Sequence, residues 1–265
     1  MISLKRENAW FHLIGNMRDF ILNTMEDSHV VKSVKLRGSY LYGTQTHLSD
    51  YDIYVIIDDS LENELSKWGT IEEDGYAHRF VKPKFDVVTM TVKQFQKLLD
   101  EHDISAIETL NKINFEPIAY YYTARNNYLF NFKLDKWKLR ESISKKCNNS
   151  WAKCHKKLTI EKDYNLHCAQ KSLFHVLRMY AYGIQIAQNE RVIDYQCKNQ
   201  IEGYENLKEL YDEIVNAENP TWEYYNEKYK PLRNKLASEF KKLCPKPTSN
   251  TQLDLNKIMK EIEEN

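Results

Sequence analysis

Three aspartates and a Gly-Ser pair are the residues with chemistry in their spacing. Arg37-Gly38-Ser39 is followed by Gly43, then by Asp50-Tyr51-Asp52-Ile53. Asp86 follows later, inside Phe85-Asp86-Val87-Val88-Thr89-Met90. Glycine lets a backbone turn sharply and lets a ligand approach closely. Ser39 adds a hydroxyl and, at the start of a short helix, an amide with no helical partner, which is a seat for phosphate. Gly43 suits the end of that helix. Asp50 and Asp52 stand at i and i+2, so on a strand both carboxylates project from one face. Two carboxylates that close repel unless a cation lies between them, and hard oxygen donors facing phosphate oxygens suit Mg²⁺. Two such ions can clamp an attacking and a leaving oxygen. Asp86 sits in an otherwise apolar strand, where a charge is costly to bury unless paired or bound to metal. If that strand lies beside the one carrying Asp52, the three carboxylates converge, and Asp86 is placed to act as general base.

These residues need elements to position them. Residues 31–37 read as a strand ending at Gly38, and residues 52–57 as a strand apolar on both faces, hence central. Residues 60–68 read as a short helix. Residues 78–81 and 85–91 read as strands joined by Lys82-Pro83-Lys84. Helical spacing occupies 7–27, 92–100 and 104–112. Beyond Pro117 the β-pattern stops. Helices are expected near 135–160, 166–189, 204–217, 221–242 and 252–263. Pro220 fits a helix start, and Pro231 is expected to break or kink the helix it sits in. The expected fold is α+β: a catalytic domain over 1–130 with a mixed sheet and flanking helices, then a helical domain over 131–265.

Composition sets the outer limits. The chain has 265 residues, enough to bury a core unaided, with only 7 Gly and 6 Pro. That excludes collagen-like, linker-like and turn-dense all-β chains. Lys+Arg and Asp+Glu both number 38, so a globally basic nucleic-acid binder is excluded while a locally basic face is not. No run of 18 apolar residues is present, and the charged start lacks the pattern of a signal peptide. Five cysteines at irregular spacing point to reduced thiols and a cytoplasmic protein with no membrane partner. Cys147, Cys154, His155, His167 and Cys168 match no common zinc framework.

The run GSYLYGTQTHLSDYDI resembles the signature of the DNA polymerase β-like nucleotidyltransferase superfamily, with Asp86 as the later aspartate. The resemblance implies two Mg²⁺ ions (Mn²⁺ substituting) held by Asp50, Asp52 and Asp86. It also implies transfer of a nucleoside monophosphate from a nucleoside triphosphate such as ATP, with loss of pyrophosphate. Ile104–Leu110, Lys138-Leu139-Arg140 and Lys171–Arg178 are similar to stretches of predicted RNA-repair-pathway polymerase β proteins.

The helical half adds two features. Lys171, His175 and Arg178 stand at i, i+4 and i+7 on one helix face, where a cationic stripe can hold the β- and γ-phosphates or simply meet solvent. Residues 132–162 hold ten Lys or Arg against three acids, an excess of seven, with Trp137 and Trp151 interleaved. Such a segment can track an RNA backbone, or it can be a solvated helix whose tryptophans anchor the core. An RNA end is therefore the expected acceptor. An aminoglycoside-like small molecule or a protein hydroxyl is the alternative, and a non-catalytic nucleotide- or RNA-binding module is a third. The complete carboxylate set speaks against the last. The sequence is silent on base preference, on single or repeated addition and on oligomeric state.

Overall fold

The strand expected at 52–57 runs Tyr51–Ile57 (β2), and residues 53–57 are buried without interruption. A strand buried on both faces needs neighbours on both edges, and β2 has them. In the computed structural model, which describes residues 30–47, 49–81, 85–110, 130–160 and 165–247, β1 (Val31–Arg37) pairs antiparallel on one side. β5 (Phe85–Thr91) pairs parallel on the other. With β3 (Thr70–Ile71) and β4 (Ala77–Val81), five strands among the described residues form one mixed sheet in the order β1-β2-β5-β4-β3. The two-residue β3 was not legible in the sequence. The helices expected at 7–27 and 252–263 and the turn Lys82–Lys84 lie outside the described residues, as do Leu48, Pro117, Glu161 and Lys162.

The described chain falls into two compact units. One is built on the chain up to Asp100 and on Ser105–Phe132, the other on Glu101–Ile104 and the chain from Lys133. In the first, alternation along the strands sorts the side chains. Ile53, Val55, Ile57, Phe85 and Val87 join Leu65 and Trp68 in one cluster under a 3₁₀ helix, Asp59–Lys67. The opposite face carries Asp52, Tyr54, Asp86 and Val88. There Phe95 of helix α2 (Val92–Asp100) meets Tyr54 edge-on, with ring centroids 6.3 Å apart. The four-residue helix α1 (Ser39–Tyr42) bridges β1 towards β2. The helix expected at 104–112 is a single turn, α3 (Ile104–Ile107). Here the Thr109 side-chain hydroxyl donates to the Ala106 carbonyl and offers the backbone an alternative to further helix.

The second unit is helical. α4 (Lys136–Thr159), α5 (Leu166–Asn189), α6 (Leu207–Val215) and α7 (Trp222–Leu243) are each capped by the side chain of Asp135, Asn165, Asn206 or Thr221. α5 is the central helix, buried along most of its length, and packs on α4, α6 and α7. Of the break or kink expected at Pro231, the break does not occur: α7 runs through it. Packing supplies the reason. Tyr225, Tyr229, Leu236 and Phe240 form one buried stripe on either side of the proline, which itself is exposed, so their burial outweighs one lost backbone bond.

Candidate active site

The site begins at a backbone turn only glycine can make. Gly38 has φ 74° and ψ −157°, a region essentially reserved for glycine. Its carbonyl accepts the amides of Leu41 and Tyr42 at 3.0 and 3.2 Å. The first-turn amides of Ser39 and Tyr40 have no partner of that helical kind, as at any helix start. Gly43 then closes α1 in the left-handed conformation, as its position suggested. A Cβ on Gly38 would lie 1.7 Å from Asp52 Oδ2 and 2.6 Å from its Cγ. The space left by the missing side chain is where the Asp52 carboxylate sits.

Register does the rest. Asp52 stands opposite Asp86 across the parallel β2–β5 pair and opposite Arg37 across the antiparallel β1–β2 pair. The strand carrying Asp86 is thus the direct neighbour of the strand carrying Asp52. Asp50 precedes β2 by one residue. It follows a turn in which the Ser49 amide donates to the Thr46 carbonyl at 3.1 Å and Ser49 Oγ accepts the Thr46 amide at 2.9 Å. All three aspartates are half-buried. Among the described residues, no three carboxylate, imidazole or thiol groups already close into a cage for a metal ion. The donor set itself fits a hard divalent cation: carboxylates of neighbouring strands, one of them seated in the notch at Gly38.

Arg37 is the functional candidate that the motif does not name. Burial alone would lower its pKa, but Tyr54, Asp52, Asp86 and Tyr42 outweigh that effect and raise it. Its guanidinium carbon lies 4.4 Å from the Tyr54 ring centroid, and Nη1 donates to the Tyr54 hydroxyl at 3.2 Å. The available signal was its place at the end of β1, but the partner across the sheet depends on a register that the intervening loop does not fix. Glu108, 1% exposed, accepts the Tyr42 hydroxyl at 2.7 Å, which makes it a paired structural carboxylate.

The helical unit places the other expected residues differently. Lys171, His175 and Arg178 do share a face of α5, but it is not a cationic stripe in solvent. Lys171 is exposed, whereas Arg178 is 4% exposed and lies over the Tyr182 ring at 4.9 Å. Burial, then the Arg178, Lys171 and Lys153 cations, hold His175 well below the ordinary histidine value, so its imidazole is neutral near pH 7. In the basic segment, Lys146 pairs with Asp103 at 2.6 Å and Arg140 donates to the Cys244 carbonyl at 2.9 Å, near the end of α7. Lys133, Lys136, Lys145, Lys153 and Lys156 are exposed. Trp151 is half-buried between Trp222, at 5.3 Å, and Arg233, at 4.7 Å, so it anchors α7 on α4 rather than offering a free stacking face. The cysteines are free thiols, four of them buried.

A mixed sheet with a Gly-Ser turn at one strand end and paired carboxylates on the next two strands defines a class. Residues 20–112 match the family model of the nucleotidyltransferase domain, so that stretch carries a nucleotidyltransferase domain of the polymerase β-like superfamily. No curated protein matches the chain. Among solved structures, the chain is similar to a nucleotidyltransferase-like protein from Exiguobacterium sibiricum, at 12% identity and a TM-score of 0.33, over 85% of this chain and 78% of that one. Among the described residues, no helix is long and apolar enough to cross a membrane.

Proposed function

We propose that this protein moves a nucleoside monophosphate from a nucleoside triphosphate onto an acceptor hydroxyl, with release of pyrophosphate. The observation that carries the reading is the direct opposition of Asp52 and Asp86 on parallel strands beside the Gly38 turn. Asp50, Asp52 and Asp86 would hold Mg²⁺, which when bound polarises phosphoryl oxygens and neutralises charge on the leaving pyrophosphate. Gly38 brings the backbone close to the triphosphate. Ser39 offers it an amide and a hydroxyl. Asp86 takes the proton from the acceptor hydroxyl as the new phosphodiester bond forms and the bond to pyrophosphate breaks. The half-burial of these carboxylates reduces the water around them and strengthens each of these interactions. Lys171, His175 and Arg178 are not needed for the reading, since only Lys171 offers an exposed cation.

An RNA end is the acceptor this reading favours, on the strength of the exposed lysines along α4. The cytoplasm is the compartment that the free, buried thiols support. The test is transfer of label from each α-labelled nucleoside triphosphate, with Mg²⁺, to RNA, aminoglycoside and protein acceptors. We expect RNA to be labelled and Asp50→Ala or Asp52→Asn to abolish the transfer. Wild-type transfer by Asp50→Ala would overturn the metal assignment. Label on an antibiotic or a protein, with RNA inert, would replace the acceptor.

A further inference from the structure

Arg37, Asp52 and Asp86 form one row across three strands, since Arg37 is opposite Asp52 and Asp52 is opposite Asp86. Residues directly opposite share a face, with Cβ atoms roughly 5 Å apart. The guanidinium is held in place by Tyr54, two residues along β2 on that same face, through the ring contact and the Nη1–hydroxyl bond already described. Both carboxylates act on it electrostatically. Its Nε is buried and has no hydrogen-bond partner among the described residues. A buried donor left unsatisfied is costly, and an incoming phosphate oxygen is the kind of acceptor that would relieve it. A fixed positive charge beside two carboxylates also competes with any cation that would bind them.

We propose that Arg37 is the resident cation of the carboxylate site, neutralising Asp52 and Asp86 before substrate arrives, so that a divalent ion binds weakly to the free protein and tightly only together with a nucleoside triphosphate. The inference rests on the assignment of Asp50, Asp52 and Asp86 as metal ligands. The triphosphate makes the difference because it adds several negative charges. These attract the divalent ion and give the Arg37 donors a new partner, so the carboxylates no longer depend on the guanidinium.

The experiment is Mn²⁺ binding by isothermal titration to the full chain, with and without a non-hydrolysable triphosphate analogue. The proteins compared are wild type, Arg37→Met, Arg37→Gln, Arg37→Lys and Asp52→Asn. In wild type the analogue should tighten Mn²⁺ binding by at least about tenfold. Arg37→Met and Arg37→Gln should bind Mn²⁺ alone on the order of tenfold more tightly than wild type. Arg37→Lys, which keeps the charge, should stay within about threefold of wild type. The proposal is overturned if free wild type binds Mn²⁺ as tightly as the nucleotide complex, a result that needs no variant to fold. It is equally overturned if folded Arg37→Met or Arg37→Gln shows wild-type affinity for Mn²⁺ alone. A different pattern marks failure of the ligand assignment itself, and with it the proposal: Asp52→Asn binds Mn²⁺ like wild type, or no protein binds it even with the analogue.

Discussion

Replacing Gly38 with alanine should separate backbone strain from damage to the site. The new Cβ would meet Asp52 Oδ2 at 1.7 Å, whereas ordinary contact begins at 3.4 Å, so the oxygen must retreat by about 1.7 Å or the turn must open. The backbone at φ 74° adds a strain of about 1–3 kcal/mol for any residue with a Cβ. The backbone part alone, near 2 kcal/mol, lowers the melting temperature of a domain of this size by roughly 8 °C. The site should suffer more than the fold, because a displacement of about 1 Å at a reacting centre typically costs about 10²-fold in rate. Gly75 is the control. It also has a positive φ, 78°, but no heavy atom lies within 4 Å of its added Cβ. Gly75→Ala should therefore lose about 1–2 kcal/mol through backbone strain and leave the site alone. The assay is a thermal melt of each variant with and without Mn²⁺ and triphosphate, alongside label transfer. Equal loss of transfer in the two variants, or full transfer by Gly38→Ala, would show that the Gly38 notch does not set the position of Asp52.

Three further outcomes are expected. His175 resists protonation in the folded protein, so stability is complete above about pH 6.5 and falls below it, by up to about 1.4 kcal/mol per pH unit. Urea midpoints at pH 7.5 and 5.0 should diverge more in wild type than in His175→Gln, and equal divergence would contradict this. Pro231→Ala restores an amide inside α7 at an exposed position and should raise the unfolding free energy by about 1–3 kcal/mol, read from urea melts; an unchanged or lower value would contradict it. Burial pushes the Cys147 and Cys154 thiols up to about 12, so alkylation at pH 8 should reach the half-buried Cys168 first and these two only with denaturant. Mass spectrometry of the labelled peptides decides the order.

The elements that hold the carboxylates were legible because their burial is extreme. β2 and β5 are apolar runs with one aspartate each on the same face, the pattern of strands set inside a sheet that keep a single charge. The Gly38 and Gly43 turn was legible because glycine is scarce in this chain and each position requires a positive φ. What sequence did not carry was pairing. The loop of residues 43–50 is long enough to allow several registers of β1 on β2, so the opposition of Arg37 and Asp52 could not be read from it. Periodicity also left the surroundings of α5 open. Lys171, His175 and Arg178 repeat at helical spacing, but α5 is enclosed by other helices, and a stripe that would face solvent on an outer helix is half inside here. Pro231 does not end α7 because its local penalty gives way to the tertiary burial of the aromatic residues around it.

The row of Arg37, Asp52 and Asp86 also bears on how the chain is made. Synthesis delivers β1 and β2 before β5, and the segment between them must fold back as a crossover before the parallel pair can close. Until Asp86 has been made, the residue opposite Asp52 across the sheet is Arg37 of β1. A β1–β2 hairpin formed at that stage sets a cation opposite Asp52, with Asp50 two residues before it, and the approach of Asp86 is deferred to the strand that completes the sheet. The order in which the strands are made thus puts the Arg37 cation in the sheet before the carboxylate on β5 arrives.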